Sequence, residues 1–300
     1  MEIRKLQFQG RSTYTVSLPK KWVEGFGLKK GDKLIFNETE NSLVVSCLAG
    51  RESNEAKSIN ADTEILSRSI LASYLAGFKR IRIFSSERIS SGTKNEIKKS
   101  VARLNGLQIV EETSNEVLLQ DLLDTGELDL RKAVKRAYSI CASMQKDAIT
   151  ALKENDKELA KEVIQRDDEV DRLYFLAVRQ LRGAISNPQY SLTGLECLDY
   201  RMVVKCIEET ADACCEIARK TIELDRGYDL EEFSDMCYTI HEQAFAAYLS
   251  KNTKSAQALR KKESQVLEMK SKLLKPSISP VLDALVTIAK NGIDIADLVI

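Results

Sequence analysis

From Asp129 to its end the chain keeps a helical pattern, and this constrains the fold more than any other feature of the 300 residues. Apolar residues recur at three- and four-residue spacing, the signature of helices that bury one face. The pattern is punctuated at Asn155, Asn187-Pro188, Arg226-Gly227, Asn252 and Pro276/Pro280. Helices are therefore expected over 131–154, 156–185, 195–226, 228–250, 254–274 and 278–300. Six helices predict two three-helix bundles.

An internal repeat supports that division. With a shift of 96, Ala148-Ile149-Thr150-Ala151-Leu152 falls on Ala244-Phe245-Ala246-Ala247-Tyr248. Asn155 then falls on Lys251, Ala160 on Ala256, Asp167 on Glu263 and Val170 on Val266. For the third helix of each repeat the shift is 82, which places Glu208 on Lys290 and Asp212 on Asp294.

Two neighbouring helices of the first repeat carry acids at helical spacing. Asp167 and Asp171 are four apart, as are Glu208, Asp212 and Glu216. Such spacing stacks like charges on one face, where they repel unless something positive lies between them. A metal ion or a basic partner would remove the penalty; a solvated face paired with Lys and Arg is the alternative. Carboxylates suit a hard divalent cation, and iron bound by carboxylates alone is a further option.

Composition narrows the classes. The 45 basic and 45 acidic residues cancel, so any nucleic-acid contact must come from a local patch. Charged residues make up 30% and aromatics 6%, which leans towards a helical protein. The seven cysteines are odd in number, contain no C-x-x-C, and fall mostly within helical patterns. This points to a reducing compartment and away from a disulfide framework. The start, Met1-Glu2-Ile3-Arg4-Lys5, has no apolar signal region, and no apolar run is long enough to span a bilayer. A soluble, cytoplasmic protein without membrane insertion is expected. A single histidine, His241, excludes His-rich metal sites and disfavours Ser-His or Cys-His catalysis. It is read as an ordinary helix residue. Cys214-Cys215 is read as small core packing, since adjacent helical side chains diverge.

The first fifty residues read as short strands: Arg4–Gln9, a Gly10-Arg11 turn, then Tyr14–Leu18 ending at Pro19. Lys20–Phe26 is a short helix, and 33–37 with 42–47 form a hairpin. Through residue 34 there are eight basic residues against three acidic ones, a surplus of five. Gly10-Arg11-Ser12, Val16-Ser17-Leu18-Pro19-Lys20-Lys21-Trp22 and Gly27-Leu28-Lys29-Lys30-Gly31-Asp32-Lys33-Leu34 resemble the AbrB/SpoVT swapped-hairpin domain. That resemblance implies a homodimer with interlaced hairpins that binds DNA, here an operator. Arg4, Lys5 and Arg11, with Lys20 and Lys21, are the expected phosphate contacts; Lys29 and Lys30 dress a solvated turn. Folds of this kind also act purely as dimerisers or protein-binding modules.

Residues 57–121 read as a small α/β connector. Helices are expected over 62–76, with Thr63 or Asp62 as N-cap and Gly77 as C-cap, and over 93–104. Strands are expected at 79–84, 108–111 and 116–120. No catalytic constellation stands out.

The helical half resembles the PhoU family over roughly 130–300. The matching residues are Asp156, Leu159-Ala160-Lys161, Val163-Ile164, Asp167 and Val170-Asp171, then Glu208, Asp212 and Glu216-Ile217-Ala218. The resemblance implies E/D-x-x-x-D motifs holding metal on the bundle surface, and control of phosphate uptake through protein partners. In the second repeat Leu267 stands where Asp171 has its counterpart and Lys290 stands for Glu208, while Glu263 and Asp294 remain. Lys290 is expected to pair with Asp294 or Glu263, leaving this copy without metal.

The expected fold class is an α+β N-terminal region followed by all-α. It comprises a swapped-hairpin domain at 1–50, the connector at 57–121, and a PhoU-like domain at 130–300 with repeats 130–226 and 228–300. The leading functional expectation is a phosphate-responsive transcriptional regulator. The alternative is a protein-interaction regulator of a phosphate transporter or kinase, with the N-terminal domain as dimeriser. A carboxylate di-metal enzyme is disfavoured, because ferritin-like sites need Glu-x-x-His pairs from two helices.

Overall fold

The computed structural model describes residues 2–10, 12–39, 42–47, 56–123, 129–186 and 192–299. The chain divides into two compact units, Met1–Ser53 and Asn54–Ile300.

In the first unit β1 (Gln7–Gln9) pairs antiparallel with β2 (Thr13–Thr15), setting Phe8 opposite Tyr14 with ring centroids 5.1 Å apart. Pro19 precedes α1 (Lys20–Gly25), whose Trp22 packs on Phe26. The expected hairpin then forms: β3 (Leu34–Thr39) runs antiparallel to β4 (Ser42–Cys47), with Leu34 opposite Cys47. Among the described residues the unit has little core of its own, for Phe8, Tyr14, Phe36 and Leu43 are all more than half exposed.

The second unit opens with a four-stranded sheet. β5 (Ala56–Asn60) leads through α2 (Leu66–Leu75) to β6 (Arg80–Phe84), then through α3 (Ser91–Ala102) to β7 (Leu107–Glu112) and β8 (Glu116–Asp121). The order is β5-β6-β8-β7; β5 and β6 are parallel and the other pairs antiparallel. β5 was not expected, because Lys57-Ser58-Ile59-Asn60 offers a single apolar residue; Ile59 alone turns inward. It packs with Leu66, Ile70, Tyr74, Ile81, Ile83, Ile97 and Leu119. α3 starts two residues before the expected Thr93, capped by Ser90, whose side chain accepts from the Thr93 backbone.

The bundle consists of α4 (Leu130–Glu154), α5 (Lys157–Ser186), α6 (Gly194–Glu223), α7 (Glu231–Ser250), α8 (Thr253–Arg260), α9 (Glu263–Leu273) and α10 (Ser279–Asp297). The fifth expected helix is thus two, broken at Lys261-Lys262, where Lys262 N–H bonds back to Leu259 O. Neither glycine nor proline marks the break. At the junction after the first helix of each, the repeat is kept to the residue. Asn155 and Lys251, 96 apart, are both left-handed caps, with φ of 55° and 51°. Asp156 and Asn252 follow them, each donating its backbone N–H to an alanine, Ala151 and Ala247. Each caps the next helix, Asp156 accepting from Leu159 and Asn252 from Ser255. The same register brings Gln145 and His241 together where α4 meets α7, at 3.1 Å.

The α/β part is fastened to the bundle through Arg179 of α5. Its guanidinium donates to Asp121 at 2.6 Å and to the Tyr74 and Phe78 carbonyls, and lies over the Tyr74 ring. Arg179 and Asp121 side chains are only 13% and 10% exposed, so this pair is largely shielded from water.

Candidate cation site

α5 and α6 run antiparallel, with Tyr174 meeting Arg201 and Asp167 meeting Cys215. This sets the Asp167/Asp171 face against the Glu208/Asp212 face, as the spacing implied. Asp167 lies at the centre. Burial, and then the charges of Asp171 and Asp212, push its carboxyl up to about 6, against the pull of Arg219. Its buried Oδ1 has no hydrogen-bond partner, while the Cys215 thiol is within reach of the carboxylate. Asp212 is raised by burial and then by Asp171. Glu208 is raised by burial, opposed by Lys205 at 2.6 Å.

Several of these acids have a cation in attendance. Arg103, at the end of α3, binds Asp171 at 2.8 Å. Lys205 bridges Glu208 and Glu209. Exposed Glu216 pairs with Arg219. Among the described residues, no three His, Cys, Asp or Glu side chains converge closely enough to hold a metal ion. The five expected ligands therefore lie on facing helices, with the aspartates acting on one another, but they do not form one coordination group. The carboxylate oxygens here, the unpartnered Oδ1 of Asp167 among them, are the donor type that a hard cation prefers.

Spacing could have found Lys205 and Arg219, which stand three residues from Glu208 and Glu216 on the same helix. Arg103 comes from 68 residues away and left no such signal.

In the second repeat, Asp294 is raised by burial, then by Asp297, Glu209 and Glu263, with Lys290 opposing. The direct pair expected of Lys290 with Asp294 or Glu263 is not formed among the described residues. Lys290 acts on Asp294 through space from the same exposed face, and Arg260 instead binds Asp297.

Of the basic residues expected at DNA, Arg4 pairs with Glu2, and Lys20 stands 3.6 Å from Glu24. Lys5 and Lys21 are exposed, and Arg11 lies outside the described residues. All seven cysteines are free and buried, Cys214 and Cys215 in the bundle core. No described helix is long and apolar enough to cross a membrane.

The bundle thus joins a repeat of three helices, α4–α6, to one of four, α7–α10, with paired acids where α5 and α6 meet. Residues 134–221 match the PhoU domain, and residues 7–46 match "Antidote-toxin recognition MazE, bacterial antitoxin". The chain thus carries a PhoU domain behind an N-terminal MazE/AbrB-like domain. The fold is similar to PhoU from Pseudomonas aeruginosa (18% identity, TM-score 0.51, 57% of this chain and 93% of that one). It is similarly close to the phosphate transport system regulatory protein PhoU from Streptococcus pneumoniae (15%, TM-score 0.51, 57% and 91%). No curated protein matches the sequence.

Proposed function

We propose that this protein is a non-enzymatic regulator of phosphate uptake that binds operator DNA as a dimer through its N-terminal domain. The bundle would take a cation and protein partners. The observation that carries this reading is the union in one chain of a PhoU domain with a MazE/AbrB-like domain, in a chain whose first 34 residues hold eight basic and three acidic residues. Phe8, Tyr14, Phe36 and Leu43 remain uncovered in the single chain, as they would if a second copy interlaced its hairpins there. Asp167, Asp171, Glu208 and Asp212, with Glu216 at the rim, would hold a divalent or iron-type cation. Bound there, the ion would neutralise the repulsion among the carboxylates and offer open positions to an anionic ligand such as phosphate.

Replacing Arg4, Lys5 and Arg11 together by alanine tests the DNA reading on the stretch upstream of the protein's own gene. Binding should weaken at least about tenfold, and the log–log salt slope should flatten by about three or more in a dimer. An unchanged slope would favour the second reading, a partner-binding regulator of a transporter or kinase. The resemblance of residues 7–46 to an antidote-toxin recognition module supports that alternative.

A further inference from the structure

The second helix of the first repeat is acidic, and the matching stretch of the second repeat has the opposite charge. Residues 155–179 hold five basic and seven acidic residues, whereas residues 251–275, 96 positions on, hold eight basic and two acidic. A surplus of six positive charges thus lies on α8, α9 and their flanks, in a chain that is neutral overall. Part of it is matched inside the molecule: Arg260 binds Asp297, Lys270 binds Asp283 and Lys272 binds Glu268. Lys251, Lys254, Lys261, Lys262 and Lys275 form no ion pair among the described residues. Only Ala256, Leu259 and Val266 of the two helices are buried, so the segment is laid on the bundle and presents most of its surface outward.

That outward surface is not purely polar. Leu267 and Leu274 are 46% and 58% exposed. Seven residues apart, they stand one above the other on α9. Exposed leucines beside unpaired lysines suit an anionic bilayer, whose headgroups attract the lysines while the leucines enter the interface. A nucleic acid would take the lysines through its phosphates and leave the leucines against a charged backbone.

We propose that α8 and α9 form a docking surface for an anionic phospholipid bilayer. No described helix could span the bilayer, so the contact is one of surface. The inference goes beyond the regulatory reading and depends neither on a cation in the first repeat nor on DNA at the N-terminal domain. Each lysine held near such a surface strengthens binding about fivefold.

The test sediments the full chain with vesicles of phosphatidylcholine alone and of phosphatidylcholine mixed equally with phosphatidylglycerol. Wild type is expected on the anionic vesicles only, with binding that falls as salt rises. Lys261→Gln/Lys262→Gln should weaken it at least about tenfold. Leu267→Gln/Leu274→Gln should weaken it about fivefold. Alanine at Arg4, Lys5 and Arg11 together should change it by less than about twofold, since these lie outside the docking surface. Equal binding to both kinds of vesicle, binding to neither, or a loss in the N-terminal variant that the lysine variant does not show would overturn the inference. So would non-specific DNA binding that falls in the lysine variant while vesicle binding stays put, which would make α8 and α9 a nucleic-acid surface instead.

Discussion

Replacing Gly292 by alanine is expected to destabilise the protein by roughly 2 kcal/mol, and by valine to do so further. Gly292 sits where α10 crosses α7. A β-carbon there would lie 2.8 Å from His241 Cα, 2.9 Å from His241 N and 3.1 Å from the Ile240 carbonyl carbon. These are backbone atoms of a packed helix and cannot swing aside, so the helices must part. Parting them opens the core around Ile240, Ala244 and Ala289, all nearly fully buried. Alanine favours a helix over glycine by about 1 kcal/mol, which sets the sign at an uncrowded position. Gly183 of α5 is such a position, with nothing within 4 Å of its would-be β-carbon. Gly183→Ala should therefore raise stability by about 0.5–1 kcal/mol. Urea unfolding of both variants reads the contrast. Equal effects of one sign would contradict the close α7–α10 crossing.

Acidification should remove roughly 3 kcal/mol of stability through His241 alone. Burial pushes its imidazole down to about 4 from an ordinary value of 6.5. Between those values the unfolded chain takes up a proton that the folded chain refuses. Stability is therefore intact above about pH 6.5 and is lost as pH falls towards 4. The surroundings explain the refusal. Nδ1 faces the Gln145 amide at 3.1 Å, Nε2 has no partner, and the Tyr138 ring stacks alongside. Asp167 works in the opposite sense over an overlapping window. Its raised carboxyl makes the folded state lose stability as pH climbs from 3.8 to about 6. The histidine effect is therefore read as wild type minus His241→Gln, with unfolding followed from pH 7 to 4. The variant should be the less acid-sensitive protein; identical pH profiles would show that His241 is not kept neutral by burial.

Much of this was legible in the residues. The helical period, its punctuation and the shift of 96 placed the bundle. Asn155 and Lys251 proved to be matched left-handed caps. The acids on α5 and α6 met because four-residue spacing fixes one face of each helix. What stayed hidden depended on contacts distant in sequence. β5 has one inward residue and forms because β6 offers it an edge. The break at Lys261-Lys262 carries no helix-stopping residue, and three successive cations from Arg260 do not announce a bend. His241 read as an ordinary helix residue until Gln145, 96 positions earlier, was found against it. Lys290 was expected to pair directly, but its carboxylate neighbours lie beyond ion-pair reach. Arg103 reaches Asp171 because the α/β part packs on α5, through Arg179, Phe175 and Arg172.

The acidic face of α5 and α6 is proposed to take a cation in the first repeat and not in the second. Metal content and Mn²⁺ binding of wild type beside Asp167→Ala/Asp212→Ala and Asp294→Ala test it most directly. One site class per chain is predicted, lost in the double variant and untouched in Asp294→Ala. Binding that survives the double variant, or that falls equally when Asp294 is replaced, would contradict it.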